Sequence, residues 1–198
     1  AGTDAYVELR TYALLETQED ETEPEDDFLM MNVDFDALSE INGDFTAWFS
    51  MPVLKLDYPV VQGEDDEYYL THTFEKKTNS AGAIFMDSSA NPDLTDFNTF
   101  IYGHNMKNGS MFGKLKQFGR DDKLCDSDPY FYLYTRDTAY RYRIISYYVT
   151  TDGSSAYLKP ATQEEYDGYV RQVLANTPYE PKEPLPDGPM VTLSTCYG

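Results

Sequence analysis

Apolar positions alternate with polar ones at the very end of the chain, where Val191, Leu193 and Thr195 interleave with Thr192, Ser194 and Cys196. That period of two is the signature of a half-buried strand. The same kind of pattern, or a short apolar run bounded by Gly and polar turns, recurs at Tyr58-Pro59-Val60-Val61-Gln62, Ala83-Ile84-Phe85-Met86-Asp87 and Asn98-Thr99-Phe100-Ile101-Tyr102. Residues 130–135 and 138–149 predict a hairpin turning at Arg136-Asp137, its long second strand alternating Tyr140, Tyr142 and Ile144 with Arg141, Arg143 and Ile145. Helical periods are fewer. Thr162-Gln163-Glu164-Glu165 is a capping box, and Tyr166, Tyr169, Val170, Val173 and Leu174 follow it at i, i+3, i+4, i+7 and i+8. Residues 5–15, capped by Asp4, and residues 34–49, capped by Asp34, also predict helices, the second broken at Asn42-Gly43. A short helix is expected over 113–118. Many short strands, one inserted helix and helices at the start predict a mainly β barrel or sandwich with peripheral helices.

Composition narrows the function classes. Asp and Glu number 35 against 15 Lys and Arg, a net charge of −20, which repels nucleic-acid backbones and anionic membranes. The acidic run 16–27 reads as a solvated linker rather than a calcium or cationic-partner site. With 18 Tyr and 11 Phe, a sizeable core is available despite that charge. Two Cys and two His, with no metal-ligand spacing between them, argue against a disulfide framework and a structural metal, and no cofactor is expected. No stretch approaches the roughly 20 apolar residues of a membrane span. Five prolines between 178 and 189 stiffen the connector into the last strand.

Candidate chemistry centres on a thiol and an imidazole, each where a strand runs out: Cys196, and His104 in the Gly/Asn-rich loop 103–113. A Cys–His pair is the minimum for nucleophilic acyl transfer, with the thiolate as nucleophile and the imidazolium as proton donor to the leaving amine. With ordinary values of about 8.5 and 6.5, under about 1% of molecules carry both charges at pH 7. Taken singly, a Cys at a strand end is more often a small buried hydrophobe. His72, in a Tyr-rich stretch, reads as structural, and Cys125 as an incidental surface or half-buried thiol.

The two contexts together are specific. Tyr102-Gly103-His104-Asn105-Met106 and Thr192-Leu193-Ser194-Thr195-Cys196 closely resemble the sortase family, class B in particular. So do Asp57 to Gly63, Tyr68 to His72, Gly82 to Asp87 and Asn108 to Gly113, in the right order from about residue 34 to 198. The resemblance implies a closed eight-stranded β-barrel with N-terminal helices and a helix between the sixth and seventh strands. Residues 1–33 would form an N-terminal helix and acidic linker, and 34–198 the catalytic domain. It further implies a cysteine transpeptidase of Gram-positive bacteria. Cys196 would cleave a C-terminal sorting signal after Thr, and the thioacyl group would pass to an amine of peptidoglycan or of a pilin. The substrates would be surface proteins or pilins, and the enzyme would sit on the extracellular face of the cell membrane, held by an N-terminal transmembrane segment. Ser194 and Thr195 beside the nucleophile, Leu70 in a groove wall, and Tyr157 with Leu158 as a lid are the substrate-binding candidates. Asp66 stands where the family has Asn. The family's Arg lies about ten residues past the Cys on an eighth strand, and the sequence to Gly198 does not contain it. Papain-like enzymes, which place Cys before His, and L,D-transpeptidases, with a Ser-x-Gly-Cys context, fit less well than a sortase or a non-catalytic sortase-like surface or pilus-associated domain.

Overall fold

Continuous apolar runs become the centre of a single sheet. The computed structural model describes residues 4–16 and 28–195, so the acidic run from 17 to 27 and the terminal Cys196 lie outside the described residues. The strands are β1 (Ala13–Leu15), β2 (Met31–Val33), β3 (Phe45–Met51), β4 (Leu56–Val61), β5 (Ile84–Met86), β6 (Asn98–Tyr102), β7 (Tyr130–Tyr134), β8 (Ala139–Arg143) and β9 (Met190–Ser194). The α-helices are α1 (Phe35–Ile41), α2 (Leu124–Ser127) and α3 (Gln163–Asn176). β1 and β2 make a small antiparallel ribbon, while the rest form one seven-stranded sheet in the order β8-β7-β3-β4-β5-β6-β9. The sheet curls into a nearly closed barrel whose two end strands, β8 and β9, line a common cleft.

The central strands are buried along nearly their whole length, as strands covered on both faces must be. Ala47 to Met51, Tyr58 to Val61, Ile84 to Met86 and Phe131 to Tyr134 are all buried. Phe49 packs against Phe112 and Phe131 at 5.5 and 5.8 Å between ring centres; burying such a ring contributes about 1.5–3 kcal/mol. Two pairings are parallel, β4 with β5 and β6 with β9, and each needs a long crossover. The second crossover, from Gly103 to Pro189, holds the hairpin β7–β8 and α3. At the start of α3, Thr162 Oγ1 accepts from Glu165 N at 3.2 Å as the capping box requires, while Glu165 Oε2 reaches one residue further back and accepts from Ala161 N at 2.8 Å.

Several elements differ from the sequence expectation. Residues 5–15 form no α-helix but two 3₁₀ turns, Asp4–Tyr6 and Leu9–Tyr12, running into β1. Their apolar residues are spread too broadly for one helical stripe, and Tyr6, Leu9 and Ala13 are the ones that reach the core. The helix expected over 34–49 is α1 alone, with Asp34 capping it through Ala37 N at 3.0 Å. After Asn42-Gly43 the aromatic run Phe45–Met51 is β3, a central strand between β4 and β7. A short, fully apolar run carries no period that separates a buried strand from a helix, and its neighbours decide. The strand expected over 138–149 stops at Arg143, on the sheet edge. The helix expected over 113–118 is a 3₁₀ turn, Leu115–Gln117. Cys125 is fully buried rather than at the surface, and burial pushes its thiol up to about 12.

Asn42 joins the end of α1 to the connection between β4 and β5. Its buried amide donates to Tyr69 Oη at 2.9 Å and to Phe74 O at 2.8 Å, and its carbonyl accepts from Asp44 N at 2.9 Å. Asn42→Ala leaves these groups without partners and is expected to cost about 2–3 kcal/mol in urea unfolding. A loss below about 0.5 kcal/mol would contradict this role.

Candidate active site

Two parallel strands set the geometry. β6 and β9 run side by side with Asn98 opposite Met190 and Tyr102 opposite Ser194, and Gly103 N donates to Ser194 O at 3.1 Å just past the last pair. Gly103 is required there, because a Cβ would sit 2.5 Å from Ile84 Cδ1 and 2.8 Å from the Phe112 ring. His104 follows. Its carbonyl accepts from Phe112 N at 3.0 Å, and Asn105 bridges Met111, so the loop folds back on itself and fixes the imidazole.

His104 Nε2 lies 2.6 Å from the Leu70 carbonyl. A carbonyl only accepts, so Nε2 carries a proton, and Nδ1 is the nitrogen whose protonation changes. Beside that carbonyl the ring meets Gly82, in the left-handed conformation at φ +58°; a Cβ there would come within 3.1 Å of His104 Cδ2 and 2.4 Å of Tyr69 O. Leu70 thus meets His104 through its main chain, while its side chain is exposed.

His104, Leu70, Tyr157, Ser194 and Thr195 line one cleft of about 1520 Å³ that also exposes Asp66 and Tyr102. Five residues singled out from the sequence thus converge. Tyr157 Oη and Ser194 Oγ are 3.1 Å apart, and the Tyr157 ring stacks on Phe100 at 5.7 Å. Thr195 Oγ1 is buried without a partner among the described residues. Leu158 is exposed and does not line the cleft. His72 stacks on Tyr68 at 4.1 Å, binds Tyr68 O through Nδ1 at 2.9 Å, and stays out of the cleft. Arg141 and Arg143 line the cleft wall on β8, where Arg143 pairs with Glu183 at 2.7 Å and Arg141 lies over the Tyr130 ring at 4.7 Å.

Sequence reasoning missed what holds Tyr157 in place. Lys159 pairs with the buried carboxylate of Asp87 at 2.5 Å and donates to Ser89 Oγ at 2.9 Å, and Tyr169 Oη donates to Ala156 O at 2.6 Å. Asp87 closes the strand motif Gly82 to Asp87, but nothing in the sequence pairs it with Lys159. Burial alone would raise the Asp87 carboxyl; Lys159 and Ser89 outweigh it and hold it below the ordinary range. Burial pushes the nearby Tyr102 phenol upward, helped by Asp87 and Asp66, so Tyr102 remains a neutral donor. Among the described residues, no group of three His, Cys, Asp or Glu is placed to hold a metal ion, and no helix is long and apolar enough to cross a membrane.

Comparison with known proteins decides the family: the sortase domain matches residues 49–198. The chain belongs to the sortase family. Its relatives place it in class B. It is 33% identical over 162 residues to sortase B of Listeria monocytogenes, covering 80% of this chain and 65% of that protein, so the chain spans just under two thirds of that relative's length. The crystal structure of Clostridium perfringens sortase B superposes with a TM-score of 0.76 at 30% identity, covering 82% of this chain and 90% of that one. A Staphylococcus aureus sortase B–substrate complex superposes with a TM-score of 0.76 at 25% identity, covering 83% and 76%. The nearly closed barrel, with α3 between its sixth and seventh strands, is thus that of a class B sortase.

Two measurements check this site of the sortase. Long-range ¹H–¹⁵N NMR of the imidazoles in alkaline buffer should place the His104 proton on Nε2; a dominant Nδ1–H form would contradict the Leu70 contact. The depressed Asp87 carboxyl stabilises the fold above its unfolded value of about 3.9, and that contribution is lost as pH falls through the lower folded value. Asp87→Asn should therefore cost about 1.5–3 kcal/mol at neutral pH and flatten the acid limb of the stability curve below about pH 4. An unchanged acid limb would show that the ion pair with Lys159 does not hold the connector.

Proposed function

We propose that the chain is the catalytic part of a sortase transpeptidase, with Cys196 as nucleophile and His104 as its acid–base partner. The parallel register of β6 and β9 carries this reading. Tyr102 and Ser194 face each other at the cleft, and His104 and Cys196 each come two residues later in the sequence. The two reacting groups would thereby meet at the ends of neighbouring strands.

The chemistry is acyl transfer. The Cys196 thiolate adds to the Thr carbonyl of a sorting signal, the scissile C–N bond breaks, and the leaving amine takes a proton from His104. A thioester on Cys196 remains. An incoming amine of peptidoglycan or of a pilin adds to the same carbonyl, gives its extra proton back to His104, and the C–S bond breaks. With Nε2–H held by the Leu70 carbonyl, Nδ1 is the atom that gives and takes this proton. Ser194, Thr195, Leu70 and Tyr157 would line the groove for the signal; that the Staphylococcus aureus sortase B of similar fold is solved as a substrate complex supports a peptide-sized cleft here. Surface proteins or pilins would be the substrates, at the outer face of the membrane.

Cleavage of a fluorogenic peptide of the Asn-Pro-X-Thr type tests the reading. Cys196→Ala should lower turnover by at least about 10³-fold, and His104→Ala by about 10²–10⁴-fold. Unchanged cleavage by Cys196→Ala would sink it.

A further inference from the structure

The segment 4–15 docks through a polar side chain where an apolar one would bury as well. Tyr6 is 2% exposed, and its hydroxyl donates to Gly82 O at 2.6 Å and accepts from Phe74 N at 3.3 Å. Buried tyrosines place their hydroxyl where a partner needs it, and this partner matters. Gly82 is the residue packed against the His104 ring, and the backbone beside it is knit by Ala83 N to Tyr69 O at 2.9 Å, one residue from the Leu70 carbonyl that binds Nε2.

The same side chain reaches the other wall of the site. The Tyr6 ring meets Tyr58 edge-on at 5.4 Å, and Tyr58 Oη accepts from the buried Met111 N at 2.9 Å. Met111 stands in the left-handed region at φ 54° and bridges Asn105, next to His104, while Phe112 N binds the His104 carbonyl. Arg10 holds Tyr58 from outside, 5.0 Å over its ring, with Nε bonded to Asp57 O at 3.1 Å. One tyrosine of the N-terminal segment thus touches the Gly82 turn directly and reaches the Met111 loop through Tyr58.

We propose that the N-terminal segment is a positioning element for His104, acting through Tyr6, which braces the Gly82 turn with its hydroxyl and the Met111 loop through Tyr58. A small slip of the Gly82 turn carries the Leu70 carbonyl with it, and that carbonyl chooses which ring nitrogen is protonated. Catalytic geometry tolerates little such slip. The inference rests on His104 being the catalytic histidine, but its test reads the ring directly and does not depend on turnover.

Long-range ¹H–¹⁵N NMR on the intact chain in alkaline buffer gives the ratio of Nε2–H to Nδ1–H forms of His104. Tyr6→Phe, which keeps the ring and removes the hydroxyl, is expected to lower that ratio by roughly threefold or more. Arg10→Met, which loosens Tyr58 and leaves Tyr6 intact, should lower it in the same direction by less, and serves if Tyr6→Phe does not fold. Tyr134→Phe is the control, because Tyr134 Oη makes a similar hydroxyl-to-carbonyl bond to Leu29 O away from His104. It should leave the ratio unchanged. An unchanged ratio in Tyr6→Phe, or an equal change in Tyr134→Phe, overturns the proposal, since the first means no coupling and the second only general loosening.

Discussion

Everything at this site depends on the parallel pairing of β6 with β9. Parallel neighbours cannot be joined by a tight turn, so the chain must travel through the hairpin β7–β8 and then α3 before β9 can lie beside β6. The pairing has two effects. It closes most of the barrel, and it brings the strand end that leads to His104 level with the strand end that leads to Cys196. A shift of register by one residue would turn every side chain of β9 to the opposite face, and the part-buried bond from Thr192 Oγ1 to Asn98 Oδ1 (2.7 Å) lies inside that ladder to resist it.

Around this frame, main-chain atoms do much of the positioning. The Leu70 carbonyl fixes the imidazole, Gly82 gives it room by lacking a side chain, Gly103 lets its loop pack on Ile84 and Phe112, and the His104 carbonyl is itself tied to Phe112. These contacts come from two separate connections, β4 to β5 and β6 to β7, so the geometry is over-determined, which a group that must hold one ring orientation requires. The connector with Tyr157 is treated similarly, through Lys159 on Asp87 and Tyr169 on Ala156. Because Asp87 is buried, its ion pair needs the extra bonds from Ser89 to offset desolvation.

The elements with strong local signals were legible. Alternation marked β9, Gly-bounded apolar runs marked β5 and β6, and the capping box with its i, i+3, i+4 stripe marked α3 to within a residue. Where the run was short and apolar throughout, as in Phe45–Met51, the sequence pattern was compatible with helix, and only the neighbours β4 and β7 made it a strand. Residues 138–149 alternate convincingly, yet β8 ends at Arg143, because a strand persists only while a partner satisfies its backbone.

The candidate site divides along the same line. His104, Leu70, Tyr157, Ser194 and Thr195 stood out by residue type and motif, and the family followed from those motifs taken together. The amino-acid sequence by itself determined the chemistry on offer: one thiol and one imidazole at strand ends, a mainly β chain and an acidic surface. What only the tertiary structure decided is how that chemistry is aimed. That Leu70 acts through its carbonyl, that Asp87 meets Lys159, and that Tyr6 braces the turn against His104 are contacts between residues far apart in the chain. They follow from strand order and register, which local periodicity does not encode.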